Sequence, residues 1–240
     1  LELSNFNINS GIFTVNAANT VFKLVNNNSP YFTYLGPTTT SGVNSTFSTA
    51  TLEFVDKIPT NVITGPSNGA LVFKSITTRG VTFNVNSDVT TSVLNSLSNR
   101  ISIVANKELK VTEQANISGT SCDVTRSIVS ATPGTRAKFT ILGGATNFDY
   151  LTVKDIDANS SYQVLVFGTY STNGGNNTSY VQFLDKTTDD STYGFGAVYA
   201  CRDIAVDKML SASGFYPNAV TTYQWFKLTG TNADLVTPIA

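Results

Sequence analysis

The chain has 240 residues, of which 41% are hydrophobic and only 13% are charged, and its formal net charge is −1. This length allows one large β domain or two smaller ones, and the apolar content excludes a disordered chain. Lys23 is the only basic residue between Leu1 and Ser29, which argues against a nucleic-acid-binding arm. Neutral Thr, Asn and Ser supply most of the polarity. We therefore expect an extracellular, cell-surface or virion-surface protein.

The chemistry of common enzymes is missing from the sequence. The chain has no histidine, which removes the commonest general base and most zinc and iron sites. Gly143-Gly144 and Gly174-Gly175 lack the pattern of a phosphate-binding loop. The carboxylates that remain are not paired by any spacing that a glycosidase would require. We predict a protein that is not an enzyme and that carries no cofactor.

Residues 1–16 form an apolar N-terminal segment that is interrupted mainly by Asn and Ser. The segment is either an ordinary first strand of its own domain or a strand that is donated to the open sheet edge of a neighbouring copy. In the second case, main-chain hydrogen bonds would supply much of the affinity. The residues of this candidate assembly strand are Leu1, Leu3, Phe6, Ile8, Ile12, Phe13 and Val15.

Two aromatic clusters offer ring faces on which a sugar could stack. The first contains Tyr31 and Tyr34, and the second contains Phe215 and Tyr216. Trp225 lies in a predicted strand, where core packing is the expected role. These clusters support an alternative function, that of a carbohydrate-binding adhesin module or a viral fibre or receptor-binding domain with surface glycans as partners.

Strand patterns continue through the middle of the chain. Pro66-Ser67-Asn68-Gly69 separates two apolar runs, and this turn sequence predicts a β-hairpin. In residues 81–85, Val81, Phe83 and Val85 alternate with polar residues, as in a half-buried strand.

Residues 88–99 are the one segment with a helical pattern. Asp88 is a suitable N-cap, and Val89, Val93, Leu94 and Leu97 would share one face of a short helix. A loop is the alternative, because Thr90, Thr91 and Ser92 are poor helix formers.

The second half of the chain carries further strand patterns. Phe139 and Ile141 alternate with polar residues, and residues 162–170, 193–201 and 223–228 also predict strands. Residues 105–120 are polar and allow an internal domain boundary within the region 17–240. No internal sequence repeat is detectable.

Asp155-Ile156-Asp157-Ala158-Asn159 resembles the opening of a calcium-binding loop, in which oxygen ligands lie two residues apart. The glycine and the closing glutamate of such a loop are replaced by Ser160 and Val166. A polar turn is therefore the favoured interpretation, with calcium at Asp155, Asp157 and Asn159 as the weaker one.

Two cysteines and several Asn-X-Ser/Thr sequons bear on covalent modification. Cys122 and Cys201 are too far apart in sequence for a metal or redox pair, and an oxidising location would permit a disulfide between them. The sequons are no more frequent than the composition predicts, and glycosylation would occur at Asn27, Asn44, Asn116, Asn159, Asn176 and Asn177.

Together these patterns predict an all-β fold: an antiparallel β-sandwich, of jelly-roll or immunoglobulin-like type, as one large or two small sandwiches with at most one short helix. No apolar run is long enough for a membrane span. The leading functional hypothesis is a secreted structural subunit of a filament, sheath or virion surface. Such a subunit would assemble with copies of itself by strand donation or edge pairing.

Overall fold

The structure is a computed structural model. It describes residues 1–9, 13, 15, 19–25, 30–36, 42–44, 47–55, 60–120, 124–143, 148–158, 165–167, 170–178, 181–183, 226–228 and 236–238.

Two parallel β-sheets contain most of the described strands. Sheet A is formed, in spatial order, by β1 (Glu2–Leu3), β3 (Val21–Leu24), β6 (Thr51–Phe54), β8 (Gly69–Thr78), β10 (Val89–Ser96), β12 (Glu108–Asn116), β14 (Ala137–Ile141) and β16 (Ile156–Asp157). A short additional strand, β5 (Gly42–Asn44), also pairs with β8. Sheet B is formed by β18 (Thr172–Asn173), β15 (Leu151–Lys154), β13 (Arg126–Ser130), β11 (Arg100–Ile103), β9 (Thr82–Val85), β7 (Thr60–Thr64), β4 (Tyr31–Tyr34) and β2 (Phe6–Ile8).

The chain alternates between these two sheets and so winds as a β-solenoid of about six turns. The turns from β3–β4 to β14–β15 each contribute a strand of at least four residues to both sheets, and shorter strand pairs extend the sheets at each end. The prediction of an all-β fold is confirmed, and the prediction of an antiparallel sandwich is wrong. Alternating burial usually indicates antiparallel strands, but a coil that encloses its own core produces the same alternation in parallel strands.

The predicted hairpin at Pro66-Ser67-Asn68-Gly69 is a corner between the two sheets. The strand before it, β7, belongs to sheet B, and the strand after it, β8, belongs to sheet A. The turn residues therefore lead the chain from sheet B into sheet A, and the two strands they join do not pair with each other.

The predicted helix at residues 88–99 is also wrong, because residues 89–96 form β10 between β8 and β12. Its buried residues are Val89, Thr91, Leu94 and Ser96, so the period-two alternation breaks once in the middle. A bulge against β12 accompanies this break, between Thr91 and Val93. The phase change gives the apolar residues a helix-like spacing in the sequence. Asp88 accepts a hydrogen bond from the backbone N–H of Glu108 at 2.8 Å, one turn further along the coil.

The interior of the coil is aromatic at its N-terminal turns. Phe6 and Phe32 are paired across sheet B and stack with ring centroids 4.5 Å apart, close to the spacing of about 4.8 Å between neighbouring strands. Phe47 is fully buried among these rings. The core continues through aliphatic residues such as Val85, Ile101 and Leu109. Each such side chain contributes about 2 kcal/mol by leaving water.

The outward faces of the sheets carry polar residues in register. On sheet B, Thr60 pairs with Thr82, which pairs with Arg100, and Ser127 pairs with Thr152. On sheet A, the charges of Glu2, Lys23 and Glu53 alternate along one row. Opposite charges on neighbouring strands favour this register.

The coil adds a third short sheet towards its C-terminal end. β17 (Leu165–Phe167) pairs in parallel with β19 (Val181–Phe183), and Phe148 forms a bridge with Phe167. The rings of Phe148, Phe167 and Phe183 follow one another at centroid distances of 5.4 Å.

The chain divides into two units. The first comprises Leu1–Asp185 and Tyr199–Ile204, and the second comprises Lys186–Val198 and Ala205–Ala240. Within the second unit, the strands β20 (Phe226–Leu228) and β21 (Val236–Pro238) pair in antiparallel fashion. Of the polar stretch 105–120, residues 108–116 form β12. The predicted strand at 193–201 and the side chain of Trp225 lie outside the described residues.

Candidate assembly edge and corner groove

The candidate assembly strand begins the coil. Phe6 is buried, and Leu3, Ile8, Phe13 and Val15 are partly buried against the core. Leu1 is 65% exposed, and Ile12 lies outside the described residues. The segment therefore pairs within its own chain through β1 and β2, which are the outermost strands of the two sheets.

The hydrogen bonds of β1 and β2 define which backbone groups face outwards. The carbonyls of Leu1 and Leu3 accept from the N–H groups of Lys23 and Val25, both at 2.8 Å. The carbonyl of Ile8 accepts from Leu35 at 3.0 Å. Because backbone groups alternate in direction along a strand, those of Glu2 and Asn7 point away from the sheets. No described segment pairs on that side, so we call this row of groups the N-terminal edge.

The two candidate sugar-stacking tyrosines that the structure describes differ in exposure. Tyr31 is partly buried on the outer face of sheet B, in register with Val62. Tyr34 is 1% exposed and packs edge-on against Phe47. Its hydroxyl accepts a hydrogen bond from the N–H of Phe13 at 3.4 Å. Phe215 and Tyr216 lie outside the described residues.

The candidate modification sites are described only in part. Asn116 is exposed on β12, where its amide donates to the side chain of Asn95 at 2.6 Å. Asn176 is exposed, Asn177 is partly buried, and Asn44 lies in β5. Asn27, Asn159, Cys122 and Cys201 lie outside the described residues, so the disulfide remains a prediction.

Asp155, from the candidate calcium loop, lies at a corner between β15 and β16. It is 2% exposed and adopts a φ of 57°, a conformation that Asp and Asn tolerate better than most residues. Its carboxylate accepts a hydrogen bond from the side-chain amide of Asn176 at 2.7 Å. The same amide also donates to the carbonyl of Gly134 at 3.2 Å, so Asn176 joins two neighbouring turns.

The charge state of Asp155 follows from these contacts. The hydrogen bond from Asn176 lowers the pKa of Asp155, with further lowering from a backbone hydrogen bond with Gly134 and from the charges of Lys154 and Arg136, whereas burial acts in the opposite direction. Hydrogen bonds and charges within the protein therefore favour the ionised form of this carboxylate. Within the described ranges, no group of three or more His, Cys, Asp or Glu residues is placed to hold a metal ion.

We predict that Asp155→Asn reduces the dependence of stability on pH below about pH 4. Because the folded pKa is lowered, the ionised carboxylate stabilises the fold fully above the unfolded pKa, and this stabilisation is lost as the pH falls through the folded pKa. Asn keeps the shape and the oxygen acceptor but carries no charge. Thermal unfolding of both proteins between about pH 7 and about pH 2 measures the difference.

Asp157→Asn is the matched control, since it removes a carboxylate from the adjacent strand β16. If the stability of the wild type and that of Asp155→Asn fell identically as the pH was lowered, a stabilising role of the Asp155 charge would be contradicted.

A groove lies along the corners where the chain passes from sheet B to sheet A. Its volume is about 390 Å³, and it is lined by Asn9, 35–36, 65–67, 86–87 and Lys107. These positions follow β2, β4, β7, β9 and β11, so five successive turns contribute to it. We call it the corner groove.

The backbone at Gly65 packs closely against buried side chains beneath the corner groove. A Cβ atom on Gly65 would lie 2.7 Å from Cγ of Leu71 and 2.9 Å from Oγ of Ser87, so a larger residue there would require these side chains to shift. The Gly65 N–H donates to the buried Oγ of Ser87 at 2.6 Å, which holds two corners together. Gly36, one turn earlier, has a φ of 68°.

The electrostatics of the corner groove are nearly balanced. Lys107 is the one basic residue among those that line the groove, and the Nζ of Lys107 lies 3.4 Å from Oδ2 of Asp88. The other oxygen of Asp88 accepts the N–H of Glu108. Around this pair, the lining is amide, hydroxyl and small apolar groups. Sequence reasoning did not identify this groove, although the recurrence of Gly and Asn after consecutive strands is a signal of aligned corners.

Among the described residues, none belongs to a helix that is long and apolar enough to cross a membrane. Comparison with known proteins found no match to the chain among family models, curated proteins or solved structures.

Proposed function

We propose that the protein is a secreted structural subunit that assembles with copies of itself by edge pairing at the N-terminal edge. The observation that carries this proposal is the outward direction of the Glu2 and Asn7 backbone groups in β1 and β2. An open edge of this kind is a template for another strand, and natural proteins usually cover or disrupt it. The occupant we propose is a strand from a second copy.

The sequence of the edge supports this role. Leu1 is exposed beside it, and no proline interrupts residues 1–9. Proline is one of the usual devices against edge pairing, and its absence from residues 1–9 leaves the outward backbone N–H groups of Glu2 and Asn7 available to a second strand. The low charge of the whole chain also limits repulsion between subunits.

Replacing Asn7 by Pro should abolish assembly and leave the subunit folded. Proline removes the outward N–H and places its ring at the edge, whereas the bonds from β2 to β4 use the groups of Phe6 and Ile8. Analytical ultracentrifugation and negative-stain microscopy would follow assembly. Circular dichroism would follow the fold.

Asn7→Ala is the matched control, because it removes the side chain but keeps the N–H, and it should assemble as the wild type does. Glu2→Pro repeats the test on the edge of sheet A. A folded Asn7→Pro protein that assembles normally would rule out edge pairing, and so would a wild type that stays monomeric at every concentration.

A further inference from the structure

We propose that the corner groove binds a neutral, linear oligosaccharide. This site is separate from the N-terminal edge and does not depend on the assembly function. The volume of about 390 Å³ lies within the range of small-molecule sites.

The shape of the groove selects an extended ligand. Five successive turns line it, and at about 4.8 Å between neighbouring strands they span about 19 Å along the coil. A single compact metabolite would contact only part of this length. A linear chain that runs parallel to the solenoid axis would contact all of it.

The lining provides the two kinds of contact that a sugar requires. Leu35, which is 36% exposed, supplies apolar surface for the C–H faces of sugar rings. Asn9, Ser67 and Asn86 supply amides and a hydroxyl for sugar hydroxyls. Asn86 donates one bond to Oγ1 of Thr64 at 3.2 Å, which orients its amide at the groove.

The charge of the groove favours a neutral ligand. The ammonium of Lys107 is already opposed by the carboxylate of Asp88 at 3.4 Å. A carboxylate or sulfate on the ligand would have to compete with this pair. Sugar hydroxyls can instead accept from Lys107 while its ion pair stays intact.

A peptide fits the groove less well than a sugar chain does. Extended peptides are usually held by main-chain bonds along a strand edge. The corner groove crosses the ends of strands, and the N–H of Gly65 on its floor is already donated to Ser87 at 2.6 Å. Recognition therefore depends on side chains, which suits a ligand with hydroxyls on every unit.

The test uses the whole protein and a panel of cellohexaose, chitohexaose, maltohexaose and xylohexaose, with a heparin-derived hexasaccharide as the anionic comparison, measured by isothermal titration calorimetry. We expect binding of at least one hexasaccharide and a much weaker response to its monosaccharide. Ser67→Trp places a large side chain in the groove at an exposed position and should weaken that binding at least about tenfold.

Asn68→Trp is the matched control. Asn68 is the exposed neighbour of Ser67 but does not line the groove, so its replacement should change affinity less than about twofold. Absence of binding across the panel would overturn the proposal, as would unchanged binding by Ser67→Trp or binding only of a heparin-derived hexasaccharide. Asn7→Pro should bind the sugar normally and Ser67→Trp should assemble normally, so failure of one proposal is distinguishable from failure of the other.

Discussion

Replacement of Phe47 by Ala is expected to destabilise the solenoid by about 4 kcal/mol, because truncation of a buried Phe leaves a large cavity. Phe47 is fully buried and lies just before β6. Its ring is within 6 Å, centroid to centroid, of six other rings: Phe6, Phe13, Phe22, Phe32, Tyr34 and Phe73. These residues come from four different strands and one connecting segment, so the cavity would affect several turns at once.

Urea unfolding measures this loss, with Phe47→Leu as an intermediate variant that keeps part of the apolar volume. Val81→Ala is the control, since Val81 is 51% exposed and its truncation should cost less than about 0.5 kcal/mol. Equal losses for Phe47→Ala and Val81→Ala would contradict the central position of Phe47 in the core.

A second large effect is expected for Gly143→Ala. A Cβ atom at this position would lie 1.8 Å from the backbone oxygen and 2.4 Å from the carbonyl carbon of Glu113. The clash is with backbone, which cannot move aside as a flexible side chain can. We expect a loss of about 3 kcal/mol, at the upper end for overpacking, in the same urea experiment.

Gly134→Ala provides the contrast. Gly134 has open space around its Cα but a φ of 80°, so alanine there meets conformational strain alone. The expected loss is about 1 kcal/mol. If Gly134→Ala proved as harmful as Gly143→Ala, close approach to β12 would not be the reason for glycine at position 143.

Local patterns in the sequence were sufficient to identify several strands. The alternation at 81–85 predicted β9, where Phe83 and Val85 are buried. That at Phe139 and Ile141 predicted β14. Period-two burial is a property of a single strand, so it can be read without knowledge of the partners.

Strand direction could not be predicted in the same way. Whether β7 and β8 form a hairpin or belong to different sheets depends on what each strand pairs with one turn away. Those partners, such as Asn84 for Val62, lie beyond the local window. The bulge of β10 also depends on its neighbour, because β12 carries the extra residue opposite Ser92.

The corner groove was beyond prediction for a related reason. Solenoids are usually recognised by a fixed repeat length. Here the separation between paired residues changes from turn to turn: Leu71 pairs with Val89, whereas Tyr31 pairs with Val62. Without a constant period, the Gly and Asn residues that recur after consecutive strands do not by themselves align Leu35 with Pro66 or Asn86. The apolar pattern of residues 1–9 predicted strands there, but which of their backbone groups face outwards depends on the pairing with β3 and β4.

The unequal turns have a consequence for how this molecule could diversify. Hydrogen bonds between strands set the rise of the coil, and they leave the length of each corner free. Residues can be inserted or lost at one corner while the strands of the neighbouring turns keep their positions along the solenoid axis. The corner loops can therefore change one at a time, and the spacing of the strands is unaffected.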